Sequence, residues 1–282
     1  MCNKYDKYGI HVFSGERESY IYLCGIKPVR PVRLAENIIL IPNTSSPKPN
    51  DMIDCVMKNG SGDEMELGLL IATLRRTTAI LKIKAKNEKQ LAIDTWNAQT
   101  IGVLIGALLN CEVSWYFQAN VSADNFTATT RISQVYPNMY KFPSAIKTLN
   151  ESKCLYLEKN ILTALNLNED KRFSNASNAL WSYRWNPRPA VQLSVIWGGI
   201  ESLFLIERGI KRNLSIAASR FITGGDDMVD EIRELYEARC KAVHELENST
   251  KNLLNSSAEL LYKLITKCVE QNSIPDINSL LN

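Results

Sequence analysis

Apolar and polar positions change rhythm partway along the chain. In the N-terminal stretch, Arg33–Pro42 (RLAENIILIP) forms a short apolar run that ends in the loop NTSSPKPND, whose prolines and asparagines punctuate strongly. This pattern predicts a strand. Leu67–Ala85 carries β-branched runs, and its second half, TTAILKIKA, sets Ile and Leu against Lys82 and Lys84 in period two. The alternation predicts strands with one buried and one basic face. Leu91, Trp96, Ile101, Leu104 and Leu108 then recur at near-helical spacing, and Cys111–Val121 and Ala128–Val135 read as strands flanking a polar turn. His11, in the apolar segment IHVF, is read as a structural strand residue.

From Pro143 the pattern becomes one of long amphipathic segments separated by capping signals, as in a helical bundle. The boundary falls near Tyr136–Phe142. Ile146, Leu149, Leu157, Ile161 and Leu165 mark one helix, and Asn175–Trp185 a shorter second. Asn186 and Pro187 fit an N-cap and N1 pair for a third, running to about Arg208 with Leu193, Ile196, Trp197, Ile200, Leu203 and Phe204 on its apolar stripe. A short helix over Leu214–Ile222 stops at Gly224-Gly225. A helix capped by Asp226 or Asp227 runs to about Glu245, and one opened by Ser249 or Thr250 runs to Gln271. The expected fold class is therefore α+β in two domains. A mixed α/β domain with a small sheet spans residues 1–140, an all-α bundle spans 141–272, and a weakly ordered tail spans 273–282.

Composition narrows the chemistry. The 282 residues carry 33 basic and 30 acidic side chains, so bulk charge advertises neither nucleic acid nor an anionic membrane, and any such binding is local. Seven cysteines without a CxxC pair, in a chain opening MCNKYDKYGI, predict reduced thiols in the cytoplasm. The longest apolar run, Ile101–Leu109, is too short for a membrane span. With His11 and His244 the only histidines, a His-rich relay or multi-His zinc site is excluded, and neither a metal nor a cofactor is expected. Gly60-Ser-Gly62 lacks the GK[ST] of a phosphate loop, and GxGxxG, GxSxG and HExxH are all missing.

The segment EIRELYEARCKAVHE places Arg239 five residues before His244. On a helix that spacing rotates by about 140° and rises by about 7.5 Å, so the two flank the apolar stripe of Val229, Ile232, Tyr236 and Val243 instead of stacking on one face. Each side chain borders a cleft beside whatever helix packs there, a symmetric partner included. Arginine's planar fork suits phosphate oxygens and keeps its charge, while histidine titrates near neutrality and carries protons. In a purely structural role Arg239 would pair with Glu201 or Glu237.

A helix reading LYEARCKAVHE preceded by one reading WGGIESLFLIE resembles the Apea-like branch of the HEPN superfamily over about residues 143–270. Leu235, Tyr236, Arg239 and His244 are similar to that branch's tyrosine, arginine and histidine pattern, and Ile200, Glu201, Leu203 and Phe204 to its Leu-Glu-x-Leu-Phe helix. Cys240 and Glu245 depart from it. The resemblance implies a dimeric, metal-independent endoribonuclease in which His244 is general acid/base and Arg239 clamps phosphate. Tyr236, Glu201 and Cys240 would be supporting residues. It further implies a toxin or antiviral-defence effector, with a trigger protein or antitoxin engaging the N-terminal domain. Arg184, Arg188, Arg208, Lys211, Arg212 and Arg220 are candidate RNA contacts, with Trp181, Tyr183 and Trp185 near enough in sequence to stack on bases. The alternative is a non-catalytic bundle of the same type serving dimerisation or ligand binding.

Overall fold

The computed structural model describes residues 10–59, 64–135, 141–245 and 250–282; the side chains of Ile10, His11, Asn59, Val243, His244, Glu245 and Thr250 lie outside the description, as do Tyr136–Tyr140 of the anticipated boundary. The chain is mixed α/β, with a sheet in its N-terminal part and helices in its C-terminal part. It forms two compact units, Met1–Gly102 with Cys111–Lys159, and Val103–Asn110 with Asn160–Asn282.

In the first unit, β1 (Glu18–Cys24), β3 (Val32–Arg33), β4 (Ile38–Pro42), β5 (Thr77–Lys84), β6 (Ser114–Ala119) and β7 (Ile132–Gln134) form a six-stranded antiparallel sheet in the order β3-β4-β5-β1-β6-β7. A parallel pair, β2 (Ile26–Pro28) and β8 (Lys147–Leu149), forms a second, two-stranded sheet beside β4 and β5. Strand periodicity sends Tyr20 and Tyr22 to one face of β1 and Ser19 and Ile21 to the other. The tyrosines join a core with Met52, Cys55 and Val56 of α1 (Pro49–Asn59) and Leu70 and Leu74 of α2 (Glu64–Arg76). On the opposite face the Ser19 hydroxyl bonds that of Thr95 in α3 (Glu88–Leu108). Residues 101–109, at and just beyond the end of α3, are all buried, as expected of a segment apolar on every side. Arg30 grips Glu158 with two hydrogen bonds, 2.7 and 2.9 Å, and Glu151 with a third, 2.8 Å, fastening the start of α4 (Glu151–Leu167).

The anticipated basic strand face is largely neutralised. Lys82 and Lys84 both reach Glu18, at 2.8 and 2.9 Å. Burial alone would raise the Glu18 carboxyl, but hydrogen bonds from Lys82, Tyr20 and Lys84 outweigh it and hold the group at about 2.

Several sequence expectations change here, among them the first bundle helix, which begins at Glu151 and leaves Leu149 in strand β8 and Ile146 just before it. Residues 67–76, expected in strands, belong to helix α2, because their apolar positions pack on one sheet face with helical spacing. His11 lies in a 3₁₀ turn, Ile10–Phe13, instead of a strand. Of Ala128–Val135 only Ile132–Gln134 pairs as strand. The expected tail contains α10 (Ile277–Leu281), which Asp276 caps by accepting from the Asn278 amide at 3.2 Å.

The second unit is helical. It contains α5 (Lys171–Ser182), α6 (Pro189–Phe204), α7 (Ile210–Thr223), α8 (Val229–Glu245) and α9 (Thr250–Gln271), with α10 packed on α7. Asp170 caps α5 by accepting from the Arg172 amide at 2.8 Å, and Pro189, not Pro187, opens α6. Helix α6 is the central element, touching α5, α7, α8 and α9. Its Leu193, Ile196, Trp197, Ile200, Leu203 and Phe204 are all buried. Gly199 permits the close crossing with α5, since a Cβ there would sit 2.6 Å from that of Ala179.

Candidate functional site

Helix α6 and helix α8 build the site together. Trp197, fully buried, donates its indole N–H to the Ser257 hydroxyl of α9 at 3.1 Å. That bond fixes the ring, and Tyr236 of α8 packs against it edge to face, with centroids 5.3 Å apart and planes at 90°. One turn beyond Trp197 along α6 stands Glu201. One turn beyond Tyr236 along α8 stands Arg239, whose guanidinium lies 5.5 Å from the Tyr236 ring centroid. Burial, and secondarily the Glu201 carboxylate, raise the Tyr236 phenol above its ordinary value, against a hydrogen bond from Arg239 that lowers it.

Arg239 is positioned without being saturated. Its Nη2 lies 3.6 Å from Glu201 Oε1, an ion pair too long to count as a hydrogen bond, with 21% of the arginine side chain and 34% of the glutamate exposed. Its Nη1 points at Cys240 Sγ, a weak acceptor, at 3.8 Å. Its Nε is buried with no hydrogen-bond partner among the described residues. A guanidinium has five N–H donors; here the buried Nε lacks a partner among the described residues, while the rest of the group meets only a thiol, a carboxylate 3.6 Å away and the Tyr236 phenol. Among the described residues this is a cation oriented by its own chain with a donor to spare.

The structure therefore brings Arg239, Tyr236, Cys240 and Glu201 together. Glu237 does not join them; it pairs with Lys211 at 2.9 Å, and that hydrogen bond holds its carboxyl below the usual range. The backbone of His244 lies in the last turn of α8, and its side chain is outside the described set.

The six basic candidates divide in two. Arg184 stacks on Tyr183 at 4.5 Å, donates to the Leu180 carbonyl at 2.9 Å and bonds Asn110. Lys211 is taken by Glu237. Arg220 donates to both carboxylate oxygens of Asp226, at 2.7 and 3.4 Å, and to the Leu280 carbonyl at 2.8 Å. Arg188, Arg208 and Arg212 are exposed and make no ion pair among the described residues. Of the three neighbouring aromatics, Tyr183 and Trp185 are buried, and Trp181 packs edge to face on Trp185 at 6.1 Å.

Sequence reasoning missed Ser257 altogether and took Trp197 only as core. The available signal was the one-turn spacing from Trp197 to Glu201, which stacks an indole and a carboxylate on one helix face. A polar-rimmed cleft of about 330 Å³ between α8 and α9, lined by Met228, Glu231, Ile232, Leu235, Asn255, Ser256, Glu259, Leu260 and Lys263, was also not foreseen. Among the described residues no group of three or more His, Cys, Asp or Glu could hold a metal ion, and no helix is long and apolar enough to cross a membrane. Compared with protein-family models, curated proteins and solved structures, the chain finds no match.

Proposed function

We propose that the chain is a metal-independent endoribonuclease of HEPN type, acting as a homodimer in the cytoplasm as a toxin or antiviral-defence effector whose N-terminal part meets a trigger or antitoxin. The observation that carries the proposal is Arg239, oriented by Tyr236 and Glu201 while its Nε donor has no partner among the described residues, on the helix that also bears His244. RNA supplies its own nucleophile, because the 2′-hydroxyl attacks the neighbouring phosphate. The protein then has to move a proton and stabilise charge on the pentacoordinate phosphorus. Arg239 meets the second need by donating to non-bridging oxygens, and His244 meets the first. Glu201 sets the guanidinium's position and Tyr236 shields one side of it. Backbone phosphates away from the scissile bond fall to Arg188, Arg208 and Arg212, the candidate cations without an ion-pair partner among the described residues.

The test is incubation of total cellular RNA with purified protein in EDTA, wild type beside His244→Ala and Arg239→Lys, followed by end-group analysis. The expected result is cleavage by wild type alone, leaving 2′,3′-cyclic phosphate and 5′-hydroxyl ends. Equal cleavage by wild type and His244→Ala refutes the assignment. A second reading, a non-catalytic module of the same type, is favoured by one observation: Arg239 already has a carboxylate and an aromatic ring from its own chain. Under that reading both substitutions lower thermal stability and RNA stays intact.

A further inference from the structure

The cleft between α8 and α9, about 330 Å³, has the volume of a pocket for a small ligand. Its floor is apolar, made by Met228 just before α8, by Ile232 and Leu235 within it and by Leu260 of α9. Its rim carries Glu231 on the α8 wall and Glu259 and Lys263 on the α9 wall, all exposed. None of these three charges is in an ion pair among the described residues. Glu259 accepts one long hydrogen bond, from the Asn110 side-chain amide at 3.4 Å.

Glu259 and Lys263 have the order and spacing at which a glutamate and a lysine ordinarily meet on an exposed helix face. Here they form no ion pair. One helical turn, about 5.4 Å, instead sets a carboxylate and an ammonium side by side at the lip of an apolar floor. That couple complements the α-ammonium and α-carboxylate of an amino acid. Glu231, on the opposite wall, is a second carboxylate that such a zwitterion leaves unmatched. Full complementarity therefore calls for two cationic groups and one carboxylate joined by an aliphatic stem.

We propose that the α8–α9 cleft binds a free basic α-amino acid, lysine or arginine. Glu259 takes the α-ammonium, Lys263 the α-carboxylate, and the side-chain cation crosses the floor to Glu231. The aliphatic stem covers Ile232, Leu235 and Leu260 and removes them from water. Each end is then a charge-assisted hydrogen bond, and the Asn255 amide and Ser256 hydroxyl on the same rim add neutral donors for the carboxylate. A neutral amino acid leaves Glu231 unmatched. A linear diamine sets an ammonium against Lys263, and a phosphate meets two carboxylates. Leu235 lies one turn before Arg239 on α8, so the bound amino acid borders the candidate site, and its binding does not require that the chain cut RNA.

Titration of the full chain with L-lysine and L-arginine tests this, read from the methyl resonance of Met228 in protein carrying carbon-13-methyl methionine, with Met228→Leu identifying the signal. Both amino acids are expected to shift that methyl saturably. Three analogues each delete one charge: norleucine the side-chain cation, lysinamide the α-carboxylate and N-acetyl-lysine the α-ammonium. Each is expected to bind about tenfold more weakly or worse than lysine. Glu231→Gln, Glu259→Gln and Lys263→Met, all at exposed positions, are expected to keep the wild-type circular dichroism and to weaken lysine binding similarly. Glu231→Gln should also bring lysine and norleucine to equal affinity, since both partners of one contact are then gone. An unmoved Met228 methyl with both amino acids overturns the proposal. So does norleucine or cadaverine binding as tightly as lysine, Glu231→Gln still preferring lysine to norleucine, or a lysine-ended peptide binding better than the free amino acid.

Discussion

Replacing Trp197 by Phe removes a buried indole N–H and leaves the Ser257 hydroxyl, itself fully buried, without its 3.1 Å donor. The lost ring atoms correspond to roughly two to three methylene equivalents, about 2 kcal/mol of burial. The orphaned hydroxyl adds about 1–3 kcal/mol. The expected destabilisation is thus about 3–5 kcal/mol. Ser257→Ala strands the indole N–H instead and costs about 1–3 kcal/mol. Combining the two removes both partners, so the double variant should fall short of the sum by about 1–2 kcal/mol. Urea unfolding followed by far-ultraviolet circular dichroism measures all three. The ring also supports Tyr236, 5.3 Å away, so its chemical shifts should move in Trp197→Phe. Strict additivity, or a Ser257→Ala variant as stable as wild type, would show that the bond does not hold the ring and that the site's foundation lies elsewhere.

Further outcomes follow from other contacts. Glu18, held at about 2 and thus below the ordinary carboxylate range, contributes stability that is complete above that range and is lost as pH falls toward about 2; Glu18→Gln is expected to flatten this acid limb in a pH series of thermal melts. Glu201→Gln is expected to cost no more than about 1 kcal/mol, because the ion pair is long and partly exposed, and to let Tyr236 titrate nearer its ordinary value, read by NMR of the labelled ring. Gly199→Val drives a side chain into Ala179 and Leu261, and a loss of about 1–3 kcal/mol is expected by chemical denaturation. Leu205→Gly relieves the left-handed backbone and is expected to raise stability by about 1 kcal/mol in chemical denaturation.

What the sequence discloses depends on how cleanly burial follows one period. Helix α6 is legible because one apolar stripe faces several neighbours, and each stripe residue named from the sequence is buried. Strand β5 is legible because Lys82 and Lys84 alternate with Leu81 and Ile83. Helix α2 is not, since LGLLIATLRR has apolar residues at almost every position and fits either period. Strand β1, ESYIYLC, is buried almost throughout as the inner strand between β5 and β6, so it shows no alternation to read. At the site, the chemical identity of Arg239 and its two possible glutamates could be read from spacing. The choice of Glu201 over Glu237 could not, because it is settled by Lys211 arriving from α7 to claim Glu237. The sorting of the basic residues is likewise tertiary: Arg220 and Arg212 look alike in sequence, and only the folded chain sets Asp226 and the Leu280 carbonyl beside one of them.

That last difference bears on how the chain is handled in the laboratory. Arg220 holds the Leu280 carbonyl and Arg172 the Pro275 carbonyl, at 2.8 and 3.3 Å, so two side chains rooted in α7 and α5 act as clasps on the final ten residues. A purification tag fused directly after Asn282 pulls on those clasps. Trimming the chain after Gln271 removes both of these bonds at once, yet leaves each arginine on a carboxylate of its own unit, Arg220 on Asp226 at 2.7 Å and Arg172 on Asp170 at 3.1 Å, so the tail loses its hold while the charge beneath it stays paired.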